Sequence, residues 1–569
     1  MPSTTAKYWK PAPPLTEAAR AALAAYHPVV AQLLFNRELA DPAQAEPFLA
    51  GELNQPEDPR LLSGLPETVD RLQHAIRAGE RLAVYGDYDT DGVTATALLV
   101  QVLSALGADV FPYIPEREAE GYGLNDEALE SLKERGAKVV ITVDCGIRST
   151  HEAETAQGLG LDLIITDHHT PQAELPRALA VVDPKQPGDA YPDKGLAGVG
   201  LAYKVAQGLI RPMTPKPSIN GSDVLDLVAL GTVSDLAPLT GENRKLVRQG
   251  LGLLNRPRRE GVKSLLSVAH LKPGGVDATA IAFMLGPRLN AAGRLESALA
   301  AYELLTTADI FRASQLAAQL EGQNRERQVL TRDTQVRARE LALAAKGDAH
   351  LLFAADPDFK SGIVGLAAAR LTEEFYRPAV VATRNPDITR GSARSIKEFH
   401  ITEAFDQCRP LLVRHGGHAA AAGFTARTEN VEALAEALRA IADRELAGLE
   451  LRPSLSIDAD VPLSELTGDL ERQLRRFQPC GYGNPTPLLA SYGLKVIGSR
   501  AVGAEGRHLK LTLTDGRVTM DAIAFQQGVW LNRMPGHIDV AYHLELNEWG
   551  GEQRLQLNVR DLRPASAAA

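Results

Sequence analysis

Asp87, Asp89 and Asp91 alternate in the run Asp87-Tyr88-Asp89-Thr90-Asp91-Gly92. Alternate residues of an extended segment share one face, so three carboxylates can converge. Converging anions repel unless cations lie among them. A solvated acidic turn and a Ca2+ loop are the other readings. An EF-hand loop needs Gly at its sixth position and Glu at its twelfth. Gly92 meets the first requirement, but Leu98 stands at the second, which excludes that loop. Asp144 directly follows the apolar run 139–143, and Asp167-His168-His169 directly follows the run 163–166. Asp235 closes Gly231-Thr232-Val233-Ser234-Asp235, where an N-cap or turn aspartate is the ordinary alternative. Oxygen ligands joined by one or two imidazoles suit Mn2+ or Mg2+ better than structural Zn2+. Two such ions about 4 Å apart can clamp a phosphodiester and activate the attacking water.

These residues need a scaffold that brings them to one rim. Apolar runs at 81–85, 110–114, 139–143, 163–166 and 180–182 alternate with helical patterns, including 94–106. That alternation predicts a parallel sheet flanked by helices, whose ligands gather at the carboxyl ends of the strands. Residues 308–345 are rich in Gln, Arg, Glu and Ala and read as a long connecting helix, interrupted near Gly322. A second α/β segment starts near His350, continues through 379–382 and ends in a helix over 431–446. Beyond Pro453 the apolar residues recur with period two in runs at 494–497, 508–514, 519–525, 538–546 and 554–559. Five such strands suffice for an OB-type barrel. The first 55 residues are Ala- and Pro-rich and read as short helices.

The chain has 569 residues, of which 44% are hydrophobic, enough for several packed cores and too many for a disordered protein. No apolar run is long enough to span a membrane, and the first 14 residues do not resemble a signal peptide. Cys145, Cys408 and Cys480 form no CxxC pair, so a reducing cytoplasm is expected. The formal net charge of −10 weighs against a nucleic-acid binder. Metal carboxylates account for part of it, and Arg244, Lys245, Arg248, Arg256, Arg258 and Arg259 form a local basic gathering.

The second half carries two more motifs. In His415-Gly416-Gly417-His418-Ala419 the glycines let backbone N–H groups approach an anion, and His418 can donate to phosphate. A bare Gly-Gly turn is the alternative. Gly391-Ser392-Ala393-Arg394-Ser395 offers two hydroxyls and a forked guanidinium, against the reading of a surface turn. In the β-rich end, Arg507, His508, Lys510, Phe525 and Trp549 are candidates for strand contact.

The order Asp-x-Asp-x-Asp-Gly, Val-Asp-Cys-Gly, Asp-His-His, Val-Ser-Asp resembles the DHH phosphoesterase family. So do the Gly-Gly-His element and the runs Glu120–Leu124, Gly286–Arg294 and Gly481–Pro485. The likeness extends from about residue 81 to residue 562. Within the family it is greatest to the branch that degrades single-stranded DNA. The resemblance implies a DHH catalytic domain over 56–305, a connecting helix over 306–347, a DHH-associated α/β domain over 348–450 and an OB domain over 451–565, after an N-terminal helical segment over 1–55. It implies one Mn2+ or Mg2+ held by Asp87, Asp89 and Asp144, and a second held by Asp91, Asp144, His168 and Asp235, with Asp144 bridging. His169 would face the substrate phosphate and Asp167 would orient a histidine. Arg117, Ser392 and Arg394 would grip a 5′-terminal phosphate, while Arg288, Asn290 and Arg294 would line the strand's path, with Gly416, Gly417 and His418 on the second domain. The implied activity is 5′→3′ removal of 5′-mononucleotides from single-stranded DNA in repair and recombination. The implied setting is a cytoplasmic, nucleoid-associated monomer, away from membranes, with a single-stranded-DNA-binding protein and a helicase as partners. Two other readings remain. One is a small-substrate phosphodiesterase of the nanoRNase type, which the added β domain disfavours. The other is a non-catalytic replication scaffold, which should have eroded ligands.

Overall fold

The structure is a computed structural model that describes residues 7–117, 120–211, 217–295, 297–549 and 552–565. The chain forms two compact units. One comprises Ala43–Arg325 and Arg476–Thr486; the other comprises the residues up to Pro42, Glu326–Arg475 and the residues from Pro487 onward.

The first unit is built on a five-stranded, all-parallel sheet, in the order Val110–Tyr113, Leu82–Gly86, Val139–Val143, Asp162–Thr166, Ala180–Val182. The central strands are apolar throughout because both faces are covered. Val84, Ile141 and Ile164 point into one core, while Ala83, Val140 and Ile165 point into the other. The register sets Gly86, Val143, Thr166 and Val182 level across four neighbouring strands. The next residue in each strand is an aspartate: Asp87, Asp144, Asp167 and Asp183. Asp183 is not singled out in the sequence, although the run 180–182 before it reads as a strand; Pro184 follows it.

Two expectations about local structure are corrected. The segment carrying Asp87, Asp89 and Asp91 is not extended. A helix already starts at Thr90 and runs to Ala105, with Asp89 as its N-cap. Asp235 is not an N-cap; it caps the C-terminus of the helix Leu225–Ser234. The helix Ile310–Lys346 runs unbroken for 37 residues and carries the chain from one unit to the other. Gly322 does not interrupt it. A helical glycine costs about 1 kcal/mol relative to alanine, too little to break a helix of this length. The basic gathering at 244–259 is divided: Arg248, Arg256 and Arg258 are exposed, while the other three are taken up within the fold. Arg244 donates to the carbonyls of Phe48, Arg476 and Gln478, Lys245 pairs with Glu57, and Arg259 pairs with Asp226.

The second unit holds a mixed sheet in the order Arg414–His418, Ala421–Arg427, Ile388–Arg394, Ala379–Arg384, Leu352–Asp356. It also holds a closed five-stranded barrel. Leu489–Val502, His508–Thr514, Thr519–Ala524, Glu552–Pro564 and His537–Trp549 follow one another in the hydrogen-bond ladder, and the last pairs back with the first. The start of the chain is more than short helices. Tyr8–Pro11 is a strand paired in parallel with Ser454–Ile457, and the Trp9 indole donates to Asp561 at 2.6 Å. The three cysteines are buried free thiols. Among the described residues no helix is long and apolar enough to cross a membrane.

Candidate metal centre

Three trios of ligand atoms, each within 4.8 Å of one another, interlock at the carboxyl edge of the parallel sheet: Asp87, Asp89, Asp144; Asp91, His168, Asp235; and Asp144, His168, His169. Asp144 belongs to two of them, as does His168. Three strand ends supply Asp87, Asp144 and the pair His168 and His169, the helix that starts at Thr90 supplies Asp89 and Asp91, and the C-terminus of a second helix supplies Asp235.

Each carboxylate is aimed by specific backbone. Asp89 accepts the N–H groups of Asp91 and Gly92 at 2.8 and 3.1 Å through one oxygen, which leaves its other oxygen outside the cap. Asp91 is fully buried. Its two oxygens accept from Gly198 and Val199 at 2.7 and 2.8 Å, at the positive end of the helix Gly198–Ile210. Asp144 has a left-handed backbone with φ of 63°, a conformation that aspartate tolerates better than most residues and that often marks functional sites. Two glycines permit this crowding. A Cβ on Gly198 would lie 2.6 Å from that of Asp144, and one on Gly231 would lie 2.8 Å from Oδ1 of Asp91.

The electrostatics are those of a site built for cations. Burial, then the charge of Asp89, pushes Asp91 up to about 7. Burial, then Asp91 and Asp89, pushes Asp235 up to about 8. Asp87 and Asp144 are also held well above the carboxylate range, by burial and then by neighbouring aspartates. Asp235 further stands at the negative end of its helix, where an anion is unfavourable. Burial, then the neighbouring His169, drives His168 down to about 3, so its imidazole is neutral and can ligate. His168 Nε2 lies 3.0 Å from Asp144, 3.7 Å from Asp235 and 3.9 Å from Asp91. Asp87 Oδ1, Asp144 Oδ1 and His168 Nε2 are buried without a hydrogen-bond partner. Such orphans are costly, and a bound cation would satisfy all three. The donor set of oxygens with imidazole fits Mn2+ or Mg2+.

Asp167 is turned away from these trios. It accepts from the backbone of Ile147, His168 and His169 and meets Nδ1 of His169 at 2.7 Å. Burial alone would raise its carboxyl, but the hydrogen bond and charge of His169 outweigh that and hold it low. For His169, burial is likewise outweighed by Asp167, and the imidazole is held above its ordinary range.

The rim holds residues that motif reading had quoted without a role. The Tyr122 ring meets His169 edge-on at 6.0 Å and Tyr88 at 6.4 Å, and the Arg117 guanidinium lies 4.9 Å from the centre of the Tyr88 ring. The signal for Tyr88 and Tyr122 was their place inside the aspartate and Glu120–Leu124 motifs. Arg294 lies close enough to Tyr88 for its charge to act on the phenol. Arg288 and Asn290 are occupied within the fold: Arg288 bonds Glu321 at 2.6 Å and the Met284 carbonyl, and Asn290 accepts the Thr90 N–H at 2.8 Å.

In the second unit, Ser392 and Arg394 share one face of their strand and stand over Gly365 of the helix Ser361–Phe375. Burial lowers the Arg394 pKa, and among the described residues it forms no ion pair. Gly416, Gly417 and His418 are exposed on an edge strand. On the barrel, Phe525 is exposed and meets His508 edge-on, whereas Lys510 pairs with Asp521 and Arg507 with Glu505. The Trp549 side chain lies outside the described residues.

Comparison with known proteins agrees with this architecture. Residues 81–232 match the DHH family, N-terminal domain; residues 348–444 match the DHHA1 domain; residues 457–561 match the RecJ OB domain. The chain is 38% identical to the single-stranded-DNA-specific exonuclease RecJ of Bacillus subtilis, over 94% of this chain and 68% of that one. It is 34% identical to the RecJ of Dickeya dadantii, over 89% of this chain and 92% of that one. The crystal structure of Thermus thermophilus RecJ in complex with Mn2+ superposes with a TM-score of 0.84 at 31% identity, over 98% of this chain and 80% of that one. A second structure of that protein, in complex with Mg2+, superposes with a TM-score of 0.79 at 29% identity, over 98% and 79%. With three domain matches in order and full-length relatives at this identity, the chain belongs to the RecJ family of DHH phosphoesterases.

Proposed function

We propose that this chain is a 5′→3′ exonuclease that hydrolyses single-stranded DNA to 5′-mononucleotides with two divalent cations, Mn2+ or Mg2+, in DNA repair and recombination. The observation that carries this reading is the interlocked donor set, in which Asp144 and His168 each serve two trios and three buried ligand atoms accept or donate no hydrogen bond. Relatives named as single-stranded-DNA-specific exonucleases, and neighbours solved with Mn2+ and Mg2+, support it. Asp87, Asp89 and Asp144 would hold one ion, and Asp91, Asp144, His168 and Asp235 the other. A pair of such ions lowers the pKa of a water and offsets the charge of a phosphate.

The chain's own residues do the rest. Asp167 keeps the His169 ring oriented through Nδ1, which leaves Nε2 to donate to a phosphoryl oxygen as negative charge grows there. Asp167 also holds the His169 pKa above its ordinary range, which favours the protonated ring. Arg117, Ser392 and Arg394 are proposed to take the 5′-terminal phosphate, with Arg394 as the principal group because its side chain is half-buried and forms no ion pair among the described residues. Gly416, Gly417 and His418 are proposed to contact the backbone of the strand, and the barrel to bind its continuation. The complete donor set argues against a non-catalytic scaffold, and the closed barrel argues against a dinucleotide substrate. A monomer working in the cytoplasm near the nucleoid, at ends supplied by a helicase and coated by a single-strand-binding protein, completes the proposal. The test is release of acid-soluble mononucleotides from single-stranded DNA with Mn2+. Asp144→Ala should abolish it, and full activity in that variant would refute the assignment.

A further inference from the structure

The strand Ala180–Val182 ends in Asp183-Pro184-Lys185, which none of the roles above uses. Asp183 is fully buried. Its Oδ1 accepts the Lys185 N–H at 2.7 Å and its carbonyl accepts the Gln186 N–H at 3.1 Å, so the chain turns sharply just past the strand end. The turn brings the Lys185 ammonium onto the backbone carbonyl of His168. The N–H of His168 is already donated to Asp167 at 2.7 Å. His168 is therefore gripped at both of its backbone polar groups, by a carboxylate on one side and an ammonium on the other. Among the described residues no carboxylate forms an ion pair with Lys185, so its ammonium is not spent on a surface contact. Its charge is also felt at Asp235 and Asp183, which places it on the side of the centre where His168 and Asp235 meet.

We infer that Lys185 is a positioning residue. By holding the His168 carbonyl it fixes the imidazole toward the ion bounded by Asp91, His168 and Asp235, without touching ion or substrate. This rests on the proposed metal centre. Outer partners of metal ligands change affinity by about 10- to 100-fold when removed, and Lys185 acts on one of the two ion positions only.

Calorimetric titration of the metal-stripped full-length protein with Mn2+ tests it. The wild-type chain should take up two ions; failure to do so would sink the proposed function rather than this inference. Lys185→Met keeps the stem but cannot donate. It should weaken one binding constant by about ten-fold or more and leave the other unchanged. Lys185→Arg, which can donate to the carbonyl, should restore most of the loss. At saturating Mn2+ the KM of Lys185→Met for single-stranded DNA should equal that of the wild type. Unchanged binding constants in Lys185→Met, equal weakening of both, no recovery in Lys185→Arg, or a raised KM would each overturn the inference.

Discussion

Asp167 meets Nδ1 of His169 at 2.7 Å, and the same carboxylate oxygen accepts the His169 backbone N–H at 3.1 Å. Ring and backbone are thus tied to one buried anion. The tie fixes the tautomer and stabilises the protonated ring.

Asp167→Asn should break that relationship. The His169 pKa is expected to fall, because the charge and hydrogen bond that outweigh burial are both weakened. With it, kcat should drop by about 100-fold or more as the hydrogen bond donated to the phosphoryl oxygen is lost. Histidine-resolved NMR titration reads the first effect, and single-turnover cleavage the second. A normal rate with a lowered His169 pKa would exclude the protonated ring from the reaction.

Metal-free protein should lose stability as pH rises. Folded Asp91 and Asp235 titrate at about 7 and about 8, against a usual value of 3.8. The folded state therefore holds protons that the unfolded state has released, and stability falls through that window with increasing pH. In chelator, Tm should decline from about pH 5 to about pH 8.5, and saturating Mn2+ should remove the slope because cations replace protons. A Tm that is flat in chelator over this range would contradict the burial of unpaired carboxylates.

Arg394→Ala should discriminate between strand ends. If its guanidinium takes a terminal phosphate, KM for 5′-phosphorylated DNA should rise by about ten-fold or more, the loss expected for a charged hydrogen bond. KM for a 5′-hydroxyl strand should change little. Equal effects on both substrates would remove Arg394 from the 5′ site.

Arg288→Met should be chiefly a stability variant. The side chains of Arg288 and Glu321 are 12% and 15% exposed and lie 2.6 Å apart. Removing one partner of such a pair costs up to about 3 kcal/mol when the other is orphaned, and less here because Glu321 keeps Arg325 at 2.7 Å. Denaturant unfolding should show the loss, while KM for DNA stays near that of the wild type. A large KM effect without destabilisation would restore Arg288 to the strand path.

The sequence made the sheet and most of the centre legible for a physical reason. An apolar run stopped at once by Asp144 or by Asp167-His168-His169 has few other uses, because a buried strand tolerates charge only at its end. What stayed hidden depends on register and on partners distant in the chain. Asp183 follows a run that is legible as a strand, but its place level with Asp87, Asp144 and Asp167 depends on register. Gly198 and Val199, which aim Asp91, lie more than 100 residues away and look like any apolar helix start. The alternation of Asp87, Asp89 and Asp91 suggested convergence along an extended chain, yet the geometry that achieves it is a strand end running into a helix. The pairing of Arg288 with Glu321 cannot be read from spacing either.

The most direct test is anomalous diffraction at the manganese edge from crystals of the full chain grown with Mn2+. Two peaks about 4 Å apart are expected, one bounded by Asp87, Asp89 and Asp144 and the other by Asp91, Asp144, His168 and Asp235. No peak at the carboxyl edge of the parallel sheet, or peaks held by other residues, would contradict the metal centre.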